Sequence, residues 1–181
     1  MFPRFSPNYT FHELLLAFLP AKKNAVQVLE ERFVEKSSHK YALAYKYGRS
    51  ALYYLIKALN IEGKKIIIPS YTCVVVANAI VKAGCTPVFL DNDKALYQPA
   101  IQSYLDAIDD DTAMVIITNL FGIAEESSEI YDAIKNKHKN VFVLQDCAHS
   151  YFCMDKQGEL ITKYGDGAIY GMNISKLVNS V

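Results

Sequence analysis

Six short apolar runs punctuate this chain: "YALAY" at 41–45, "III" at 66–68, "PVFL" at 87–90, "MVIIT" at 114–118, "VFVLQ" at 141–145 and "AIYGM" at 168–172. Four of the gaps between them hold an amphipathic stretch: 50–60, 73–83, 99–109 and 126–137. Strand-length runs alternating with helix-length ones are the signature of βαβ units and a mostly parallel sheet. The runs are apolar throughout instead of alternating, which fits strands covered on both faces. The pattern therefore predicts an α/β fold, a three-layer α/β/α sandwich. At 181 residues and 51% hydrophobic content the chain can bury such a sheet as one domain.

Residues 11–36 read differently. "FHELLLAFL" and "KNAVQVLEERFVEK" carry helical periodicity broken at Pro20. The chain thus divides into a helical segment, 1–36, and a sheet-forming domain, 37–181. Formal net charge is zero, without the basic excess of a nucleic-acid binder. The longest apolar runs are too short to span a bilayer, and the first residues lack a basic leader, so the expected setting is the cytoplasm. Cys73, Cys85, Cys147 and Cys153 stand among apolar residues without CxxC spacing, as expected of buried, reduced thiols. Cys147, His149 and Cys153 match no common zinc spacing, and no metal is expected there.

In open α/β sheets ligands gather at the carboxyl ends of the strands. There the sequence places Gly48, Arg49 and Ser50 after the first run, Asn119 after the fourth, Asp146 and His149 after the fifth, and Lys176 after the last. Each has a bland reading: Gly48 a turn, Asp146 a helix cap, Asn119 a turn residue, His149 a packed ring, Lys176 a solvated amine. Together they suit one cofactor. A helix N-terminus binds phosphate, with a glycine for close approach and the Ser50 hydroxyl as an added donor. A carboxylate pairs with a protonated ring nitrogen, and a lysine amine condenses with an aldehyde. Phosphate, pyridinium and aldehyde are the three handles of pyridoxal 5'-phosphate (PLP). An unrelated doubly wound nucleotide binder should show a GxGxxG or Walker-type loop, and neither is present.

From about residue 28 onward the chain resembles the DegT/DnrJ/StrS aminotransferases, fold type I PLP enzymes acting mainly on nucleotide-linked keto sugars. "TNLFGIAEESSEIYDAI" is similar to the family's His/Asn-Leu-Phe/Tyr-Gly segment, "VFVLQDCAHS" to its Glu-Asp-x-Ala-Gln/His motif, and "YGDGAIYGMNISK" to Gly-Asp-x-x-x-Phe-Ser-Phe-x-x-x-Lys. The resemblance implies that Lys176 holds the cofactor covalently and shuttles the substrate proton, and that Asp146 binds the pyridinium. It implies that His149 lies near the cofactor's phenolic oxygen and that Arg49 and Ser50 offer backbone N–H groups to the phosphate. The implied reaction moves an amino group, typically from glutamate, to a keto sugar nucleotide in polysaccharide or amino-sugar biosynthesis.

Two positions depart from the family pattern. Gly171 replaces a phosphate-binding serine, and Cys73 replaces a ring-stacking aromatic residue. Family members also continue past the lysine with a further strand and a small domain, whereas Val181 follows Lys176 by five residues. The sequence is therefore expected to be the large-domain portion, with unpaired sheet edges and a need for a homodimer or a complementing chain. The alternative is a non-catalytic relic or binding module that keeps the scaffold.

Overall fold

The computed structural model describes residues 23–37, 39–93, 97–123 and 127–172, together with Phe11, Leu15 and residues 18–20. Its centre is a five-stranded parallel sheet, β1 (Lys65–Pro69), β2 (Thr86–Leu90), β3 (Thr112–Thr118), β4 (Phe142–Asp146) and β5 (Gly167–Ile169), in the order β2-β1-β3-β4-β5. Around it lie α1 (Ala25–Lys36), α2 (Gly48–Ala58), α3 (Val74–Lys82), α4 (Ile101–Ala107) and α5 (Ser127–Lys137).

The strands sort their side chains by parity, as the two-residue strand period requires. Ile66, Ile68, Met114, Ile116 and Leu144 face one way and pack under Leu52 and Ile56 of α2 and Val76 and Ile80 of α3. Ile67, Val115, Ile117 and Val143 face the other way, onto Tyr104 of α4 and Ile130 and Ile134 of α5. Both faces of the sheet's centre are thus dry, which is why its strands read as unbroken apolar runs. The three-layer parallel architecture is the one the alternating pattern predicts.

The edges of that prediction need correction. Residues 41–45 form no strand; Tyr41 is 84% and Leu43 73% exposed. A strand exists only where a neighbour accepts its hydrogen bonds. Among the described residues, the Ala44 N–H donates instead to a side chain, Glu30 Oε1, at 2.8 Å. The run at 168–172 shortens to three strand residues, and the helix at 99–109 shortens to α4. All four cysteines are free, but Cys73 is exposed and Cys153 half-buried; only Cys85 and Cys147 fit the buried-thiol expectation. Cys73 stands outside because it occupies the N-cap position of α3, at the open carboxyl edge of the sheet. No helix among the described residues is long and apolar enough to cross a membrane.

Candidate functional site

Strand register lines up the carboxyl ends. Thr118 of β3 pairs with Asp146 of β4, and Asp146 pairs with Ile169 of β5. Successive strands lie about 4.8 Å apart, so these three residues form one step-by-step row. The row is tied by backbone bonds from Asn119 N to Asp146 O (3.1 Å) and from Cys147 N to Ile169 O (2.8 Å). Asp146 is half-buried, and its Oδ1 accepts the Ala148 N–H at 3.0 Å. No helix directly follows Asp146, so the helix-cap reading gives way to a turn in which the carboxylate takes the N–H two residues on and is aimed by it.

The N-terminus of α2 abuts the end of this row. A methyl built on Gly48 would lie 3.7 Å from Ile169 Cγ2 and 3.9 Å from Tyr170 O, ordinary contacts, so no neighbour among the described residues demands glycine there. Gly48 and Arg49 are the first residues of the helix, where N–H groups have no intrahelical acceptor. Ser50 differs: its N–H already donates to Tyr47 O at 3.0 Å, which leaves its hydroxyl as the group free to take a ligand. The Arg49 guanidinium sits 4.2 Å from the Tyr47 ring centroid, a cation–π contact that holds positive charge beside the helix start.

Asn119 is fully buried behind the row. Its Nδ2 donates to Gln145 Oε1 (2.8 Å), its Oδ1 accepts from Ser127 Oγ (2.7 Å), and Gln145 Nε2 donates to Tyr164 O (2.6 Å). The side chain therefore braces the ends of β3 and β4 from inside. The Gly165–Asp166 pair is likewise a brace. A Cβ on Gly165 would come within 2.9 Å of Gln145 Cγ and 3.0 Å of Gly167 O. Asp166 Oδ2 accepts the Val143 N–H (2.7 Å) and meets Lys135 Nζ at 2.6 Å.

His149 lies on the loop after β4, its ring 5.8 Å from that of Phe121. Cys73 opens α3 after β1, and the neighbouring Thr72 Oγ1 lies 3.5 Å from Thr118 Oγ1, which brings that loop to the same edge. Lys176 falls outside the described residues. The row thus gathers Asp146, His149 and the Gly48–Ser50 helix start, with Cys73 on the neighbouring loop and Asn119 beneath. Sequence reasoning missed Gln145 and Thr118, polar residues ending apolar strands, and missed Tyr71 and Tyr97. The polar pair carried a usable signal, since a glutamine in a strand buried on both faces needs a partner. Burial pushes the thiol of Cys147, beside Asp146, well above its ordinary pKa, which disfavours the thiolate. Among the described residues no three His, Cys, Asp or Glu side chains gather as a metal site.

The donor set fits PLP. Helix N–H groups and the Ser50 hydroxyl suit a phosphate, and a carboxylate one strand away suits a protonated ring nitrogen. Beside them a groove of about 730 Å³ runs between residues 39–48 and the open flank of β5, lined by His39, Tyr41, Leu43, Tyr47, Ala168 and Tyr170.

The profile of the DegT/DnrJ/EryC1/StrS aminotransferase family matches residues 18–179. A GDP-perosamine synthase of Escherichia coli O157:H7 is 28% identical over 164 residues, covering 90% of this chain and 44% of that protein. A UDP-N-acetyl-3-dehydro-alpha-D-glucosamine 3-aminotransferase of Acidithiobacillus ferrooxidans is 31% identical over 130 residues, 71% of this chain and 34% of that protein. Among solved structures, a Streptococcus pneumoniae protein described as a sugar aminotransferase, in its PLP form, superposes with a TM-score of 0.87 at 18% identity, over 98% of this chain and 50% of its own. A GDP-4-keto-6-deoxymannose-3-dehydratase with bound GDP-perosamine gives 0.82 at 20% identity, over 98% and 48%. The chain spans less than half the length of these curated relatives.

Proposed function

The chain belongs to the DegT/DnrJ/EryC1/StrS aminotransferase family, and from that premise we propose that it is the cofactor-holding part of a PLP-dependent aminotransferase. Its reaction is the transfer of an amino group from glutamate to a keto sugar carried on a nucleotide, in cell-surface polysaccharide or amino-sugar biosynthesis. The observation that carries this reading is the placement of Asp146 one strand from the α2 N-terminus, through the pairing of Asp146 with Ile169 and the contact of Ile169 with Gly48.

Each residue then has a task. The N–H groups of Gly48 and Arg49 and the Ser50 hydroxyl bind the phosphate, with the helix dipole favouring its charge. The Asp146 carboxylate keeps a proton on the pyridine nitrogen, and the Ala148 N–H fixes that carboxylate's direction. The buried Asn119–Gln145 pair keeps the strand ends from shifting. When bound, the cofactor supplies the electron sink for charge developing at the substrate carbon. Lys176 Nζ carries the proton between that substrate carbon and the cofactor's aldehyde-derived carbon. His149, half-buried at the rim, orients the cofactor's ring oxygen. The groove along β5 supports a second proposal: that further polypeptide, in a homodimer or a complementing chain, covers this flank. We place the protein in the cytoplasm.

Titrating the purified chain with PLP tests the reading. A visible absorption band, lost in Lys176→Ala and weakened in Asp146→Asn, is the expected result. An unchanged spectrum in wild type and variants rejects it. Turnover of glutamate with a keto sugar nucleotide then separates an enzyme from a relic that merely retains the site.

A further inference from the structure

Each of four consecutive βα loops sends one ring to the carboxyl edge of the sheet: Tyr71 after β1, Tyr97 after β2, Phe121 after β3 and His149 after β4. The centroids are spaced evenly, at 6.5 Å from Tyr71 to Tyr97, 6.1 Å from Tyr97 to Phe121 and 5.8 Å from Phe121 to His149. The three outer rings are exposed, at 54%, 52% and 61% for Tyr71, Tyr97 and Phe121.

The backbone under them is strained. Tyr97 has φ 53° and Phe121 φ 56°, left-handed values that bulky residues avoid. Such conformations persist where the surroundings over-determine them, and they cluster at ligand clamps. Here the surroundings do so. Asn92 Nδ2 donates to Tyr97 O, and Asn92 Oδ1 accepts the Tyr71 N–H at 3.3 Å, so one side chain holds both rings' loops. The next residue, buried Gln98, is anchored by Nε2 to Thr118 O at 3.0 Å and accepts the Asp93 N–H at 2.8 Å. Strain and three anchors are invested in rings that cover little of the chain's own core.

We propose that Tyr97, backed by Tyr71, is a stacking platform for the nucleobase of a nucleotide-linked substrate. The proposal rests on the reading above for the substrate being nucleotide-linked; the geometry supplies where the base lies. On the reading above, the reacting sugar carbon lies on the His149 side of the cofactor ring, across it from Asp146, because the aldehyde carbon stands beside the ring oxygen and opposite the ring nitrogen. The base, at the far end of the diphosphate, must lie away from His149 along the same edge. The ring row leads from His149 through Phe121 to Tyr97 and Tyr71. Base–aromatic stacking is tolerant of base identity, because every base presents a π face. The platform therefore contributes affinity for a nucleotide without choosing between purine and pyrimidine.

Calorimetric titration of the full chain with GDP, UDP and inorganic pyrophosphate tests this. GDP and UDP are expected to bind more tightly than pyrophosphate. Tyr97→Asn removes the ring while keeping a residue that tolerates left-handed backbone, so the fold is retained. It should weaken GDP and UDP by about 5- to 150-fold and leave pyrophosphate unchanged. Tyr97→Phe should bind as wild type, and Tyr71→Ala should show a smaller loss. Equal GDP affinity in wild type and Tyr97→Asn overturns the platform, as does GDP binding no tighter than pyrophosphate. A dimer broken by Tyr97→Asn with GDP binding unaltered also overturns it, and assigns the rings to a subunit contact. PLP binding is read separately by absorbance. PLP uptake without ring-dependent GDP binding sinks only the platform, and the reverse result sinks only the aminotransferase reading.

Discussion

The centre of the sheet and its β5 flank are built from similar residues and end in opposite states. In β3, Met114, Val115, Ile116 and Ile117 are each at most 1% exposed, in a strand flanked by β1 and β4 and covered by helices on both faces. In β5, Gly167, Ala168 and Ile169 are only half-buried, and pairing to β4 serves one edge. Across the groove, Tyr41 and Leu43 are exposed, and the buried His39 Nε2 has no hydrogen-bond partner among the described residues. Apolar sequence alone does not close a core. A strand contributes fully only when its backbone groups and both faces meet partners, and among the described residues β5 pairs with β4 alone.

Truncation at the centre should cost most. Ile116→Ala is expected to lose about 2–5 kcal/mol in urea denaturation, the range for a buried, tightly packed aliphatic residue. Ile169→Ala in β5 should lose less than half as much; equal losses would break the contrast. Next comes the brace beneath the site. Asn119→Ala leaves Gln145 Oε1 and Ser127 Oγ buried without their partner, and should cost about 2–4 kcal/mol by the same measurement. Gly165→Ala forces a methyl against Gln145 and the Gly167 carbonyl and should cost about 1–3 kcal/mol.

The smallest effect belongs to the open flank. Burial lowers the pKa of His39 from its ordinary 6.5, with the Asp166 charge opposing. The fold therefore favours neutral imidazole. That contribution is complete above pH 6.5 and is lost as pH falls through the lowered folded-state value, because the unfolded chain binds the proton first. The urea midpoint of wild type should drop more than that of His39→Gln when pH is taken from about 7.5 to about 5, a window straddling the imidazole's ordinary range. Parallel curves would show that His39 is neutral to folding. A partner seated in the groove should enlarge the difference, by burying His39 further.

Much of the site was legible because it is written in short local signals. The helix opening at Gly48, the aspartate ending β4 and the histidine three residues on can each be read within one turn or one strand end. The row at the strand ends then follows from topology, since parallel strands put all their carboxyl ends on one edge. Other features had no local mark. "YALAY" is as strand-like as "VFVLQ", yet only the second acquires neighbours. Asn119 read as a rim residue, and it turned out to be a buried brace because Gln145 and Ser127, distant in sequence, meet it inside. Nothing in "ALYQ" announces a left-handed tyrosine, because Asn92, five residues upstream, and Thr118, at the end of β3, hold that backbone.

By itself, the order of residues determined the α/β class, the parity of the core side chains and the sheet edge on which the chemistry gathers. Those properties follow from hydrophobic periodicity and chain direction, which are local. Tertiary structure alone decided which apolar runs became strands, which polar groups turned inward and how four rings came to stand in a row. Each of these depends on hydrogen-bond partners and packing surfaces brought together from separate parts of the chain.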